Sequence, residues 1–191
     1  MLIDLPAREL LSAFSSSDPT PGGGSAAALA SSVGASLLLM VAGLPKTRSN
    51  SDEDRAALRA AAAALTPLRQ QLSDAIDADT AAYDGVVAAY KQPKASDEEK
   101  RARKEAIQRA LRAATDVPLG VMRLSADVLR HAAAVAAHGH PGASSDVGVA
   151  QALLGAGLEG ARLNVEINLG SIDDAGYVRE VKGEVERLLR R

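Results

Sequence analysis

Apolar residues recur at three- and four-residue steps along most of the chain. The series Leu65, Leu68, Leu72, Ile76, Tyr83, Val86 and Tyr90 marks one face of a long helix, and Val178, Val181, Val185 and Leu188 mark a final one from about Asp173. Between these stretches, turn-forming residues set the boundaries. A short first helix is predicted from about Asp4, with Pro6 in its first turn. A loop from Ser15 to Gly24 follows, and then a helix from about Ser25 to Leu44. The stretch PKTRSNSD breaks the pattern and offers Ser51 or Asp52 as the next N-cap. Pro67 is predicted to kink or restart the helical stretch that runs to about Tyr90.

KQPKAS then reads as a loop, with Ser96 and Glu99 at the spacing of a capping box. The next helix is predicted to end near Val117, with Pro118 opening another to about Ala137. HGHPGASSD is a second break, before a helix from about Ser145 to Gly170. The expectation is an all-α fold, one antiparallel helical bundle forming a single domain over residues 1–191.

Composition strengthens the helical reading. Hydrophobic residues make up 47% of the chain but Ala dominates them, and aromatics are only 2%. Alanine is the best helix former, whereas strands favour β-branched and aromatic residues. With 22 basic and 24 acidic residues the net charge is −2, so no overall field draws in nucleic acid. The absence of Cys removes disulfides, thiolate catalysis and Cys-ligated metals. The opening MLIDLPAREL lacks the pattern of a signal peptide. Ser25–Leu44 has the length of a membrane span but consists mostly of Ala, Ser and Gly. A soluble, cytoplasmic protein without membrane attachment is expected.

One acid falls where acids do not belong. Asp79 lies on the apolar stripe, three residues after Ile76 and four before Tyr83, while Asp74 and Asp77 fall off it, where solvated acids are expected. A core-facing carboxyl is paired, hydrogen-bonded or neutral, because burying a bare charge is expensive. Such a site raises the carboxyl pKa, which suits proton transfer. The competing reading is a structural Asp that caps a neighbouring helix or bonds a Tyr.

A second polar series begins after HGHPGASSD. Asp146, Ala150, Leu153, Gly157, Gly160, Asn164 and Asn168 share one ridge, with small residues in the middle. Asp146 and Asn164 are 18 residues apart, roughly 27 Å along the axis. They serve opposite ends of a long ligand or two sites brought together in a dimer. Otherwise Asp146 caps its helix and the two Asn bond neighbouring helices. The stretch DPTPGGGSAAALASS poses a similar choice between linker, close helix contact and backbone cradle for an anion. Lys46, Arg48, Lys91 and Lys94 sit in loops, and His131, His138 and His140 lack the spacing of metal ligands, so no metal site is expected. No phosphate loop or nucleophile elbow occurs.

Four stretches, in order, resemble signatures of the cyclodeaminase/cyclohydrolase family of folate enzymes. They are DPTPGGGSAAALA, DADTAAYDGVVAAYKQPK, PGASSDVGVA and EGARLNVEINL, spanning positions 18 to 169. Tyr83 stands where Phe is common, His140 and Gly142 where Asn is often found, and GLPKTRSN is shorter than the usual basic stretch. The resemblance implies an all-α homodimer acting on a tetrahydrofolate derivative with no further cofactor. Two activities are implied: closure of 5-formiminotetrahydrofolate to 5,10-methenyltetrahydrofolate with loss of ammonia, slightly favoured, and interconversion of the methenyl and 10-formyl forms. Asp79, Asp146 and Lys94 are the expected catalytic residues. Pro21, Gly22, Gly23, Gly24, Ser25, Tyr83, Asn164 and Asn168 are expected to bind substrate. No formiminotransferase segment is expected ahead of Asp18. A catalytically silent folate-binding or scaffolding dimer is the alternative of another class.

Overall fold

The computed structural model describes residues 1–190, and among these residues the regular elements are all helical. A 3₁₀ turn at Leu2–Asp4 precedes α1 (Ala7–Phe14), α2 (Gly23–Ala42), α3 (Asp52–Tyr90) and α4 (Asp97–His138). A second turn at Pro141–Ala143 leads into α5 (Ser144–Leu169) and α6 (Ala175–Leu189). Helices α3 and α4 form a long antiparallel hairpin, against which α2 and α5 pack, while α6 lies on α4. Leu38, Leu65, Leu72, Ile76, Leu119, Met122 and Leu154 fill the centre.

The Ala, Ser and Gly of α2 bring backbones together within the chain. A Cβ on Gly34 would sit 2.8 Å from the Ala150 carbonyl oxygen, and one on Gly157 would sit 2.7 Å from the Ala27 carbonyl oxygen. At that approach two buried hydroxyl pairs fix α2 to its neighbours: Ser31 with Ser125 at 2.7 Å and Ser32 with Ser73 at 2.8 Å. By length and hydropathy α2 could cross a membrane, with a mean hydropathy of 1.8 over its most apolar window, but half of that window is buried in this fold.

Several sequence-based boundaries are corrected. α1 starts at Ala7, with Pro6 as its N-cap, and α2 starts two residues early, at Gly23. Neither proline divides a helix: α3 runs through Pro67 and α4 through Pro118. Proline frees the carbonyl four residues earlier, and the helix continues where that oxygen finds another partner. For Pro118 the freed carbonyl is that of Ala114, which accepts from Asn168 Nδ2 at 2.8 Å. The predicted caps are present: Ser51 accepts from Asp54 N, and Ser96 with Glu99 forms the full capping box. Asp77 is no solvated acid; its carboxylate accepts from Leu2 N at 2.6 Å and anchors the N-terminal turn.

Candidate functional site

The site is built at the start of α2. The first N–H groups of an α-helix have no intrahelical acceptor, and that of Ser25 donates to Asp79 Oδ2 at 2.8 Å. Ser25 Oγ lies 3.0 Å from the same carboxylate oxygen and 2.9 Å from the Ile76 carbonyl oxygen. A hydroxyl carries one proton. Beside ionised Asp79 it points to Oδ2; once Asp79 is protonated it turns to Ile76 and accepts instead. Ser25 can therefore follow either charge state.

Gly24 permits this approach. A Cβ there would lie 2.5 Å from Asp79 Cγ, 2.7 Å from Oδ2 and closer still to Oδ1. The glycines are thus a close backbone approach, and what approaches is the acid on the neighbouring stripe. Burial pushes the Asp79 carboxyl above the ordinary value of 3.8, against the opposing pull of its two bonds to Ser25. Desolvation wins over hydrogen bonding, as proton transfer near neutral pH requires.

Asp79 opens into a cavity of about 310 Å³. Its walls include Gly22, Gly23, Gly24, Tyr83, Asn164 and Asn168, with Pro19, Thr20, Val86, Leu111 and Ala114 completing it. Pro21 follows a cis peptide bond after Thr20 and adjoins the wall. Asn164 Nδ2 donates to the Gly160 carbonyl at 2.8 Å, as Asn168 Nδ2 does to Ala114. Because both acceptors are carbonyls, each amide must turn its NH₂ inward, leaving its oxygen to receive a ligand's N–H groups. Pro118, which reads in the sequence as a helix end, thereby positions a wall residue.

Seven of the expected site residues therefore meet around one cavity, with Ser25 just behind Asp79. Lys94 and Asp146 are not among its lining residues: Lys94 is exposed in the loop between α3 and α4, and Asp146 lies in the first turn of α5, at the far end from Asn164. Val86, Leu111 and Ala114 were missed as wall residues, although Val86 lies one turn after Tyr83 on the same stripe.

A second buried acid is structural. Asp54 accepts from Ser49 N and Oγ at 2.7 Å each and from Thr47 Oγ1 at 3.1 Å, and it pairs with His138 Nδ1 at 2.9 Å. These partners, His138 foremost, hold its carboxyl far below the usual range. The cluster ties the α2–α3 loop to the end of α4, where Arg48 N also donates to the His138 carbonyl. Among the described residues no group of His, Asp and Glu could hold a metal ion.

The all-α bundle thus seats a partly buried carboxyl at a helix N-terminus, beside amide oxygens and bare backbone, in one cavity. The chain belongs to the formiminotransferase-cyclodeaminase family, whose sequence profile matches residues 6–187. It is 42% identical over 179 residues to a methenyltetrahydrofolate cyclohydrolase of Methylorubrum extorquens, covering 94% of this chain and 86% of that protein. It is 31% identical over 189 residues to the formimidoyltransferase-cyclodeaminase of Sus scrofa, covering 99% of this chain and 35% of that larger protein. The crystal structure of formiminotetrahydrofolate cyclodeaminase from Thermotoga maritima matches the fold with a TM-score of 0.86 at 26% identity, over 98% of this chain and 90% of that one.

Proposed function

We propose that this protein is a cytoplasmic, homodimeric folate enzyme, one unit over residues 1–191, that interconverts 5,10-methenyl- and 10-formyltetrahydrofolate without a further cofactor. The observation that carries the reading is Asp79, held by Ser25 in a cavity whose other polar groups suit a pterin. The choice of cyclohydrolase over the cyclodeaminase reading favoured by sequence rests on the 42% identical cyclohydrolase. Closure of the formimino form with loss of ammonia is the second reading, supported by the Thermotoga maritima structure.

Hydration of the methenyl carbon needs a base for water and then an acid for N5. Asp79 takes a proton as the water oxygen bonds the carbon between N5 and N10. It returns that proton to N5 as the carbon–N5 bond breaks, and the remaining hydroxyl proton leaves to solvent, giving the 10-formyl product. In the deaminase direction the same carboxyl relieves N10 of its proton and delivers one to departing ammonia. A carboxyl with a raised pKa serves both strokes. The amide oxygens of Asn164 and Asn168 accept from pterin N–H groups, and Tyr83 stacks or edges the ring.

A cavity of about 310 Å³ admits the pterin head and leaves the glutamate tail outside. Exposed Lys94, beyond the end of α3, is assigned to those tail carboxylates. Asp146 is assigned a share in pterin binding or proton transfer. The test is an absorbance assay for the methenyl chromophore, run with methenyl-, 10-formyl- and 5-formiminotetrahydrofolate. Turnover of the first two supports the cyclohydrolase, release of ammonia from the third supports the deaminase, and turnover of none refutes the enzyme reading.

A further inference from the structure

Helix α2 has no cap of its own. Its N-cap residue, Gly22, has no side chain, and no acid stands in its first turn. A free N–H and the positive end of the helix dipole are instead answered from α3, by the Asp79 carboxylate. Both bonds arrive at one oxygen: Ser25 N lies 2.8 Å and Ser25 Oγ 3.0 Å from Oδ2. Ser25 is itself 0% exposed, so it holds the acid from behind, out of reach of a ligand.

The other oxygen is left unclaimed. Among the described residues no donor bonds Oδ1, and no fully buried side-chain oxygen lacks a partner. Asp79 is only half-buried, so an oxygen of it without a partner is one that opens to the cavity. Beside Oδ1 stands Gly24, whose missing side chain leaves the room that a Cβ would take from that oxygen. Asp79 therefore faces the cavity through Oδ1, and the two bonds at Oδ2 set the tilt of its carboxyl.

No charged side chain competes for this carboxyl among the residues around it. All 20 residues of α2 are uncharged. Helices α4 and α5 present Leu111, Ala114, Asn164 and Asn168, the lining residues of the loop before α2 are uncharged, and Tyr83 is the other titratable group on the wall. Behind Asp79, Thr80 Oγ1 lies 3.5 Å from Ser25 Oγ. Ser25 is thus the group that discriminates between the two forms of the acid. Its hydroxyl donates to the ionised carboxyl, and it has a second acceptor in the Ile76 carbonyl oxygen at 2.9 Å when the carboxyl takes up a proton. A hydrogen bond to a charged oxygen is stronger than one to a neutral oxygen, so the hydroxyl favours the ionised form, while burial acts in the opposite sense.

We propose that Ser25 is the positioning residue of this site: it fixes Asp79 through Oδ2, so that Oδ1 exchanges the proton with the ligand, and its hydroxyl favours the ionised form that attack by water requires. The inference rests on the folate-site reading above and adds to it which oxygen acts and what aims it. In hydration a proton of water passes to Oδ1 as the water oxygen bonds the methenyl carbon, and Oδ1 returns it to N5 as the carbon–N5 bond breaks. Ser25 gains and loses no proton over the cycle and acts only through Asp79.

Ser25→Ala removes the hydroxyl and keeps the N–H. It is followed by two readouts: kcat/KM for methenyltetrahydrofolate hydration against pH, and the carboxyl NMR titration of Asp79 in ligand-free protein labelled at Asp, assigned by its loss in Asp79→Asn. Loss of one bond to a charged group corresponds to a rise of about one pH unit, and both midpoints are expected to move up together by that amount. The kcat plateau is expected to fall about 10-fold, short of the effect of a full 1 Å misplacement, with KM near the wild-type value because Ser25 does not touch the ligand. Ser25→Cys, with a weaker donor in the same place, should shift both midpoints in the same direction by less. Ser32→Ala is the control: it removes an equally buried hydroxyl bond of α2, to Ser73 at 2.8 Å, and should lower Tm without moving either midpoint. Midpoints in Ser25→Ala that stay in place or fall, a larger shift in Ser25→Cys, or an equal shift in Ser32→Ala overturns the proposal. A carboxyl midpoint that rises in Ser25→Ala while the wild type turns over no folate refutes the folate reading instead, and leaves the hold of Ser25 on Asp79 standing.

Discussion

Gly24→Ala is the smallest change that tests how the site is built. The new Cβ would lie 2.5 Å from Asp79 Cγ, 2.7 Å from Oδ2 and closer to Oδ1. Carbon–carbon contacts settle at roughly 3.5–4.0 Å, so the carboxyl must retreat by about 1 Å or more. Retreat breaks or stretches both bonds from Ser25, now 2.8 and 3.0 Å long. Hydrogen bonds to charged groups contribute roughly 1.5–3 kcal/mol each. Set against this is the better helix propensity of Ala, at most about 1 kcal/mol. A net destabilisation of about 2–5 kcal/mol follows, which for a chain of this size lowers Tm by roughly 4–20 °C.

The catalytic effect is expected to be larger, because misplacing a reacting group by about 1 Å can cost on the order of 10²-fold in rate. The assay is kcat for methenyltetrahydrofolate hydration, with circular dichroism as the folding control. Gly85→Ala is the comparison variant, since nothing lies within 4 Å of a Cβ there. It is expected to raise stability by about 0.5–1 kcal/mol and leave kcat unchanged. If Gly24→Ala keeps half or more of wild-type kcat, the close approach of α2 to Asp79 does not set the reacting geometry.

Three further outcomes follow from the packing and the titrating groups. Gly157→Ala forces a methyl against the Ala27 carbonyl and the Ser31 hydroxyl; overpacking of that kind costs about 1–3 kcal/mol, so thermal melts should show a lower Tm with the helical spectrum retained. Asp79 has a raised folded-state pKa, so its contribution to stability is largest at acid pH and is lost as pH rises through that value; Asp79→Asn is expected to melt no lower than wild type at pH 7 to 8, and a clearly lower Tm contradicts burial as the dominant influence. Asp54 has a depressed folded-state pKa, so its stabilisation is present above the ordinary value of 3.8 and fades as pH falls below it. Asp54→Asn should lower Tm at neutral pH and flatten the fall of Tm with acid, and parallel curves for the two proteins refute the assignment.

Much of this architecture was legible in the chain because helices write themselves in local spacing. The stripe from Leu65 to Ile76 named the buried face of α3, and Asp79 stood out because it interrupted that stripe. The two Asn were visible as polar residues on a small-residue ridge, though only the fold shows that they share a cavity with Asp79. What escaped was non-local. Pro118 reads as a helix end unless Asn168 is known to stand beside the freed Ala114 carbonyl. Asp77 looks solvated until the N-terminal turn is laid over it. Asp54 gains its partners from a loop and from His138, 84 residues away. Asp146 and Lys94 matched motifs, and a motif does not say which cavity, or which copy of the chain, a residue serves.

The most direct test of the central claim, that Asp79 carries the proton, is kcat/KM for methenyltetrahydrofolate hydration as a function of pH, in wild type and Asp79→Asn. Hydration needs the ionised carboxyl, so wild-type kcat/KM should fall with acid through a midpoint above 3.8. In Asp79→Asn that acid limb should vanish and the plateau should fall by about 10²–10⁴-fold. A variant with the wild-type midpoint and plateau would contradict the account.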